Sequence, residues 1–384
     1  VTPDQFGIYL HVPFCATRCG YCDFNTYTAT DLGGGATRAA YPGWAAAEIR
    51  LAAAVAAASR GPRRVSSVFV GGGTPTLLNP AELGGLLEVV AAEFGLTADA
   101  ESTVEANPES VDARSLAALR EAGFTRISFG MQSASPHVLA VLERAHSPGR
   151  PLECVRWARA AGFTRVNLDL IYGTPGESDA DWKDSLHAAL DAGPDHISAY
   201  SLIVEDGTRL AARVRRGELP APDPDCLADR YELADAVLTG AGYAWYEVSN
   251  WATSAASRCR HNLLYWTGGD WWGIGPGAHS HIDGVRWWNV KHPRDYAERL
   301  AVGESPEAGR EELTEDQKRL ERLMLGLRLR DGLRLGELSA SGRAAAERAL
   351  ADGLLEAAAH AAGRATLTLR GRLLADAVIR AITD

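Results

Sequence analysis

A five-residue phrase written twice does most to limit how this chain can fold. Ala122-Gly123-Phe124-Thr125-Arg126 recurs as Ala161-Gly162-Phe163-Thr164-Arg165, and Ala-Gly returns at 192–193 and 241–242. Each pair stands between a stretch of helical period and a β-type run. Glycine suits the left-handed position just past a helix C-terminus, so each pair reads as one helix-to-strand turn. β-type runs at 8–12, 65–71, 102–106, 126–132, 165–172 and 196–203 alternate with Ala-, Leu- and Glu-rich helical stretches such as 44–59 and 81–94. That alternation calls for a parallel sheet covered by helices. The expected fold class is therefore α/β, an incomplete parallel (β/α)6 barrel, with 243–248 as a candidate seventh strand. In such barrels chemistry gathers at the C-terminal ends of the strands.

Cys15, Cys19 and Cys22 follow the first strand directly, in the spacing C-x3-C-x2-C. Three thiolates on a short loop can hold three corners of a four-iron cluster and leave the fourth iron open to a reactant. An odd trio cannot close on itself as disulfides. A structural zinc would want a fourth protein ligand. None lies nearby, and Asp23 is adjacent but awkwardly placed. Cys154, Cys226 and Cys259 are scattered and read as ordinary thiols. Free thiolates without a disulfide framework fit a reducing cytoplasm. His11, beside the loop, reads either as a group that tunes or shields a cluster or as a packed strand residue.

Polar residues at the other strand ends point to the same mouth. Gly71-Gly72-Gly73-Thr74-Pro75 follows the second strand, Glu105 ends the third, Gln132 ends the fourth, and Asp169 lies late in the fifth. A charge among strand aliphatics is costly unless paired. One such carboxylate fits a structural ion pair; several converging polar ends fit a ligand site.

With 384 residues the chain has room for one large domain and a smaller one. The expected divisions are 1–245 for the barrel, 246–305 for a Trp/His-rich connecting segment and 306–384 for a tail. In the tail, 312–329, 335–338, 344–351 and 371–382 read as helices and 364–369 as a strand, a small helical, winged-helix-like unit suited to packing or partner docking. No apolar run is long enough to span a bilayer, and no signal peptide is read before the first strand. The formal charge is −10 without a Lys/Arg block. No nucleic-acid partner is expected, because phosphate contacts need a basic footprint.

The cysteine loop after strand one, with Gly72-Gly73-Thr74-Pro75 after strand two, resembles the radical S-adenosylmethionine (SAM) superfamily. The resemblance implies a [4Fe-4S] cluster whose open iron is chelated by the amino and carboxylate groups of SAM. One electron would then release a 5′-deoxyadenosyl radical. Tyr9-Leu10-His11-Val12-Pro13-Phe14-Cys15, Ser128-Phe129-Gly130-Met131-Gln132-Ser133 and Asp169-Leu170-Ile171-Tyr172-Gly173-Thr174-Pro175 are similar to the oxygen-independent coproporphyrinogen oxidase group. SAM contacts implied by that likeness are Tyr9, Gly72, Gly73, Thr74, Glu105, Gln132, Arg144 and Asp169. Glu105 would accept from the amino group, Arg144 would pair with the carboxylate, and Asp169 would hold ribose hydroxyls.

Two departures separate the chain from the oxidase. Phe24 stands where the oxidase carries a further cysteine, and only fourteen residues precede Cys15. Both match the HemW-type heme chaperones instead, as does the H-N-x-x-Y-W run from His261 to Trp266 and the segment 272–280. The resemblance implies heme as ligand and a heme-acceptor protein, a membrane hemoprotein among the candidates. It also implies a cytoplasmic protein, peripheral at the inner face of the membrane where such an acceptor is served. The alternative is a porphyrin-modifying radical enzyme, a coproporphyrinogen oxidase or heme-ring methyltransferase.

Seven of the ten tryptophans fall between Trp245 and Trp288, with His261, His279 and His281 among them. Flat aromatics beside imidazoles suit an apolar macrocycle that needs an axial iron ligand. They suit ordinary core equally. His261 is the first choice as heme ligand; His279 and His281 are reserves.

Overall fold

The computed structural model describes residues 5–61, 63–144 and 146–383. Six strands follow the expected alternation: β1 (Phe6–Val12), β2 (Val65–Gly72), β3 (Leu96–Ala106), β4 (Arg126–Gln132), β5 (Arg165–Tyr172) and β6 (His196–Ser201). They pair in parallel in chain order. After them come β7 (Ala244–Glu247), β8 (Asn250–Ala252), β9 (Asp270–Ile274), β10 (His279–Ile282), β11 (Val285–Asn289) and β12 (Glu307–Glu312). All twelve join one sheet in the order β12-β11-β10-β9-β1-β2-β3-β4-β5-β6-β8-β7.

The candidate seventh strand needs correction. β7 forms within 243–248, but it lies at the far edge and pairs antiparallel with β8, which is itself antiparallel to β6. The seventh parallel strand is β9, on the other side of β1. Its five residues, Asp-Trp-Trp-Gly-Ile, carry no clear period of two. Pairing with β1, not local pattern, makes it a strand.

The repeated Ala-Gly turns form as expected: Gly123, Gly162, Gly193 and Gly242 all have positive φ, from 68° to 103°. Helix starts are equally local. Asn79 with Glu82, Asp112 with Ser115, and Ser178 with Asp181 form reciprocal capping boxes. Each satisfies backbone N–H groups that a helix start leaves bare.

Side chains alternate across the parallel strands. Ile8, Leu10, Val68, Val70, Ile127, Phe129, Val166, Leu168 and Ile197 point outward into a buried core shared with the helix Tyr41–Arg60 and its successors. The inner face is polar: Ser67, Glu101, Thr103, Arg126, Ser128, Asn167, His196 and Ser198 are all buried. A sheet with helices on both faces would be apolar on both; here the inner face encloses a lumen.

In the tail, Leu323, Leu327, Leu333, Leu338, Ala346 and Ile379 form a separate buried cluster. The expected helix 312–329 begins at Glu315 because residues up to Glu312 extend β12 along β11. The expected helix 371–382 breaks at Leu374 into Leu369–Leu373 and Ala375–Thr383. A two-stranded ribbon, Leu333–Arg334 with Arg364–Ala365, completes the unit. Arg372 ties it to the barrel by two bonds to Asp235, at 2.9 and 2.8 Å, and lies 4.4 Å over the Trp245 ring. No described helix is long and apolar enough to cross a membrane.

Candidate functional site

The cysteine loop leaves β1 at its C-terminal end. It is tied to itself by Tyr27 N–H donating to Pro13 O (2.7 Å) and Cys15 N–H donating to Tyr27 O (3.0 Å). Cys15, Cys19 and Cys22 are half-buried and line one side of a cavity of about 280 Å³. Burial pushes the Cys15 and Cys22 thiols up, against the pull of the Thr74 hydroxyl at Cys15 and the Phe24 N–H at Cys22. Arg144 Nη1 donates toward Cys19 Sγ at 3.4 Å. Among the described residues no group of three or more His, Cys, Asp or Glu is arranged to hold a single metal ion. An iron–sulfur cube asks for a wider spread of thiolates.

Seven of the eight expected SAM contacts share this cavity: Gly72, Gly73, Thr74, Glu105, Gln132, Arg144 and Asp169. They come from the ends of four neighbouring strands and the turn after a helix. Glu105 accepts from Gly72 N–H at 3.2 Å. Burial, and after it the charge of Asp169, pushes the Glu105 carboxyl up to about 8. Asp169 is also pushed up by burial, and is held by Ser128 O–H and an Asn167 N–H, both at 2.7 Å. These two carboxyls, with no ion pair to either among the described residues, face the same space. A cationic or hydroxyl-rich ligand would offset that arrangement.

Arg144 adds a second unmet demand. Its Nη2 donates to Gly130 O at 2.8 Å, while its buried Nε has no hydrogen-bond partner among the described residues. Gln132 has φ of 65°, where β4 is irregular against β5. A non-glycine residue there stores about 1–3 kcal/mol of strain. Such strain at a strand end aims a side chain that regular extension would not.

The glycines have a reason the sequence did not disclose. A Cβ on Gly72 would sit 2.6 Å from His11 Nδ1, and Gly72 φ is 105°. A Cβ on Gly73 would overlap Phe14 O and lie 3.0 Å from Cys15 Sγ. Gly72 lets the end of β2 close on β1, and Gly73 lets the turn press on the cysteine loop. Thr74 N–H donates to Phe14 O at 2.7 Å, and Thr74 Oγ1 lies 3.8 Å from Cys15 Sγ. Ser128, Gly130, Asn167 and Tyr200 were missed by sequence reasoning. Ser128, Gly130 and Tyr200 line the cavity, and Asn167 braces Asp169. Their one signal is period-two alternation, which puts 128 and 130 on one face of β4 and 167 with 169 on one face of β5.

Tyr9 does not line the cavity. Its hydroxyl donates to His11 Nδ1 at 3.0 Å, and His11 Nε2–H donates to Asn25 O at 2.9 Å. A carbonyl only accepts, so His11 carries its proton on Nε2. Of its two readings, the geometry places His11 as a packed strut, 6 % exposed, under the cysteine loop.

His261 also departs from expectation. The helix Arg260–Trp266 crosses the N-terminal end of the lumen as a floor. Arg260 N–H donates to Glu101 at 2.8 Å, and Leu264 fills the space above Gly7. His261 Nδ1 lies 2.9 Å from Ser67 Oγ and Nε2 lies 2.8 Å from Tyr265 Oη. Its ring is 1 % exposed and stacks on Phe69 at 5.4 Å. Burial pushes its pKa down to about 3. No nitrogen is free for iron, so this arrangement does not support His261 as a heme ligand. The reserves differ: His281 Nδ1 donates to Gly269 O at 3.0 Å, whereas His279 is exposed.

Comparison with known proteins agrees with the site. Residues 9–189 match the radical SAM superfamily. The chain is 56% identical over 381 residues to the heme chaperone HemW of Mycobacterium tuberculosis, covering 99% of this chain and 95% of that protein. To the HemW of Escherichia coli it is 37% identical over 295 residues, 76% of this chain and 75% of that one. Coproporphyrinogen III oxidase (HemN) of Escherichia coli shares the fold, with a TM-score of 0.82 at 24% identity over 99% of this chain and 90% of that one. With its three-cysteine loop, polar barrel mouth and full-length likeness to these relatives, the chain belongs to the radical SAM superfamily and, within it, to the HemW family.

Proposed function

We propose that this chain is a heme chaperone on a radical SAM scaffold, holding a [4Fe-4S] cluster and SAM at the barrel mouth and passing heme to an acceptor protein. The observation that carries the reading is the 56% identity, sustained along 99% of the chain, to a relative named as a heme chaperone. Phe24 supports it against porphyrin oxidation: where the oxidase group has a further cysteine, an aromatic ring stands 56 % exposed at the cavity rim.

In this reading Cys15, Cys19 and Cys22 bind the cluster as thiolates, and the resting thiol protons leave on metal binding. The bound cluster supplies one electron at the mouth. Gly72, Gly73 and Thr74 offer backbone to the methionine portion of SAM. Glu105 takes a hydrogen bond from its ammonium, whose charge favours the ionised carboxylate against the burial that pushes this carboxyl up to about 8. Arg144 turns its unpartnered Nε–H to the carboxylate. Asp169, braced by Ser128 and Asn167, accepts from ribose, and the strained Gln132 closes the remaining side. The protein's part is placement and exclusion of water. The acceptor is a hemoprotein served from the cytoplasm, at the inner membrane face where it is membrane-bound.

Anaerobic reconstitution followed by iron and sulfide analysis tests the cluster; Cys19→Ala is expected to lose both. Hemin titration tests the cargo, with a saturable Soret shift at one equivalent expected. Its absence ends the chaperone reading. Turnover of coproporphyrinogen with SAM and reductant would replace it with the enzymatic one.

A further inference from the structure

Resting on the heme-binding reading above, we infer that the protein ligand to the heme iron is His279, on β10 in the antiparallel extension of the sheet beyond β9, and that His261 is structural. An imidazole binds iron through a bare nitrogen lone pair, and the porphyrin must reach that nitrogen along an open path. His261 fails on both counts. Its two nitrogens are spent on Ser67 and Tyr265, and a Cβ on Gly7 would already lie 3.0 Å from its Cε1. A macrocycle could enter there only by displacing the helix that floors the barrel.

His279 meets both conditions. Its side chain is exposed, and neither ring nitrogen has a hydrogen bond among the described residues. Strand pairing sets it opposite Trp288, whose ring stacks on the imidazole at 5.9 Å and 28°. The stack fixes the imidazole plane before iron arrives, so less freedom is lost on binding. Trp271 Nε1–H donates to His279 O at 3.0 Å and pins the backbone beneath. Partial burial, then the charges of Lys291 and Arg286, push the ring below the ordinary imidazole value, which favours its neutral form.

The surroundings match a flat iron porphyrin with carboxylate arms. Trp271 and Trp288 present apolar rings on the same face of the extension. Lys291 is exposed and in no ion pair among the described residues, so it can meet a propionate. Arg286 is already bound to Glu311 and Glu321, each at 2.8 Å. The segment before His279 also touches the cysteine loop. Asn25 Nδ2 donates to Pro276 O at 3.0 Å and to Lys291 O at 2.8 Å. Heme held here would sit beside the cluster site, outside the lumen.

The test is hemin titration of the reconstituted full chain, read by Soret absorbance and by electron paramagnetic resonance of the ferric heme. His279→Ala should lose the histidine-ligated signature and weaken binding at least about tenfold, with added imidazole restoring the signature. Lys291→Glu should weaken binding and leave the signature unchanged. His261→Gln should keep both affinity and signature while lowering the melting temperature. A His279→Ala protein with the wild-type spectrum and affinity overturns the assignment, as does loss of the signature in a folded His261→Gln protein. Failure of the wild type to bind hemin sinks the chaperone reading itself, and the ligand assignment with it.

Discussion

Replacing Gly73 by alanine puts one methyl group where the β2 turn meets the cysteine loop. The new Cβ would overlap Phe14 O and stand 3.0 Å from Cys15 Sγ. Phe14 O is backbone and cannot swing aside as a side chain would. It also accepts the Thr74 N–H bond at 2.7 Å, while Cys15 N–H is tied to Tyr27 O at 3.0 Å. The loop must therefore retreat and give up the Thr74 bond. Losing that bond costs about 0.5–1.5 kcal/mol, and overpacking a close contact costs about 1–3 kcal/mol. The sum is about 1.5–4.5 kcal/mol, with Cys15 displaced from its partners. A second glycine provides the control. Gly85 lies inside the helix Pro80–Phe94, and a Cβ there would meet nothing within 4 Å. Gly85→Ala should raise stability by about 0.5–1 kcal/mol through helix propensity. Urea unfolding of the unloaded protein, paired with iron and sulfide content after anaerobic reconstitution, reads both effects. Gly73→Ala should unfold earlier and hold less cluster; Gly85→Ala should unfold later with full cluster. A Gly73→Ala protein of wild-type stability and full iron content would refute the claim that this glycine exists for the loop contact.

Three further outcomes follow from the lumen and mouth. Glu101, fully buried, faces Arg126 at 4.0 Å and Arg165 at 3.6 Å; Glu101→Gln strands a buried guanidinium and should cost about 3–5 kcal/mol in urea melts, and a loss under about 1 kcal/mol contradicts the pairing. His261 has a folded pKa of about 3 against an ordinary value of 6.5, so the stability it contributes is complete above pH 6.5 and is lost as pH falls toward 3. By pH 5 that loss is about 2 kcal/mol, and His261→Gln should show a correspondingly shallower fall between pH 7.5 and 5; equal slopes in the two proteins would falsify the burial argument. Arg144→Lys keeps the charge but lacks the Nε–H and the planar fork; SAM affinity of the cluster-loaded protein, measured by anaerobic equilibrium dialysis, should fall about tenfold or more, the worth of one charged hydrogen bond, and an unchanged Kd counts against the carboxylate role.

The polar lumen explains why the mouth is built as it is. In most parallel sheets the strands are apolar on both faces. Here the inner face carries Glu101, Arg126, Ser128, Asn167, Asp169 and His196, bonded to one another across adjoining strands and to the segment that runs into the floor helix. Near the floor the charges cancel in pairs. Near the mouth, Glu105, Asp169 and the Arg144 Nε are left without opposite partners. That gradient from satisfied to unsatisfied polar groups marks where a ligand belongs.

Much of this was legible along the chain. The Ala-Gly turns, the helix caps and the period-two strands are local properties, decided by a few neighbouring residues and their backbone preferences. The three cysteines were legible for the same reason, since one loop carries them all. The strand-end residues Glu105, Gln132 and Asp169 could be placed at the mouth because a parallel barrel sends every strand the same way. Other features depend on residues far apart in sequence. Only assembly made Asp270–Ile274 a parallel partner of β1, because a five-residue run takes its state from the strand it pairs with. Tyr9 and His261 looked like ligand contacts, yet folding gave their polar atoms to His11, Ser67 and Tyr265. Residue type states what a side chain can bond; burial and long-range neighbours decide whether that capacity is already used.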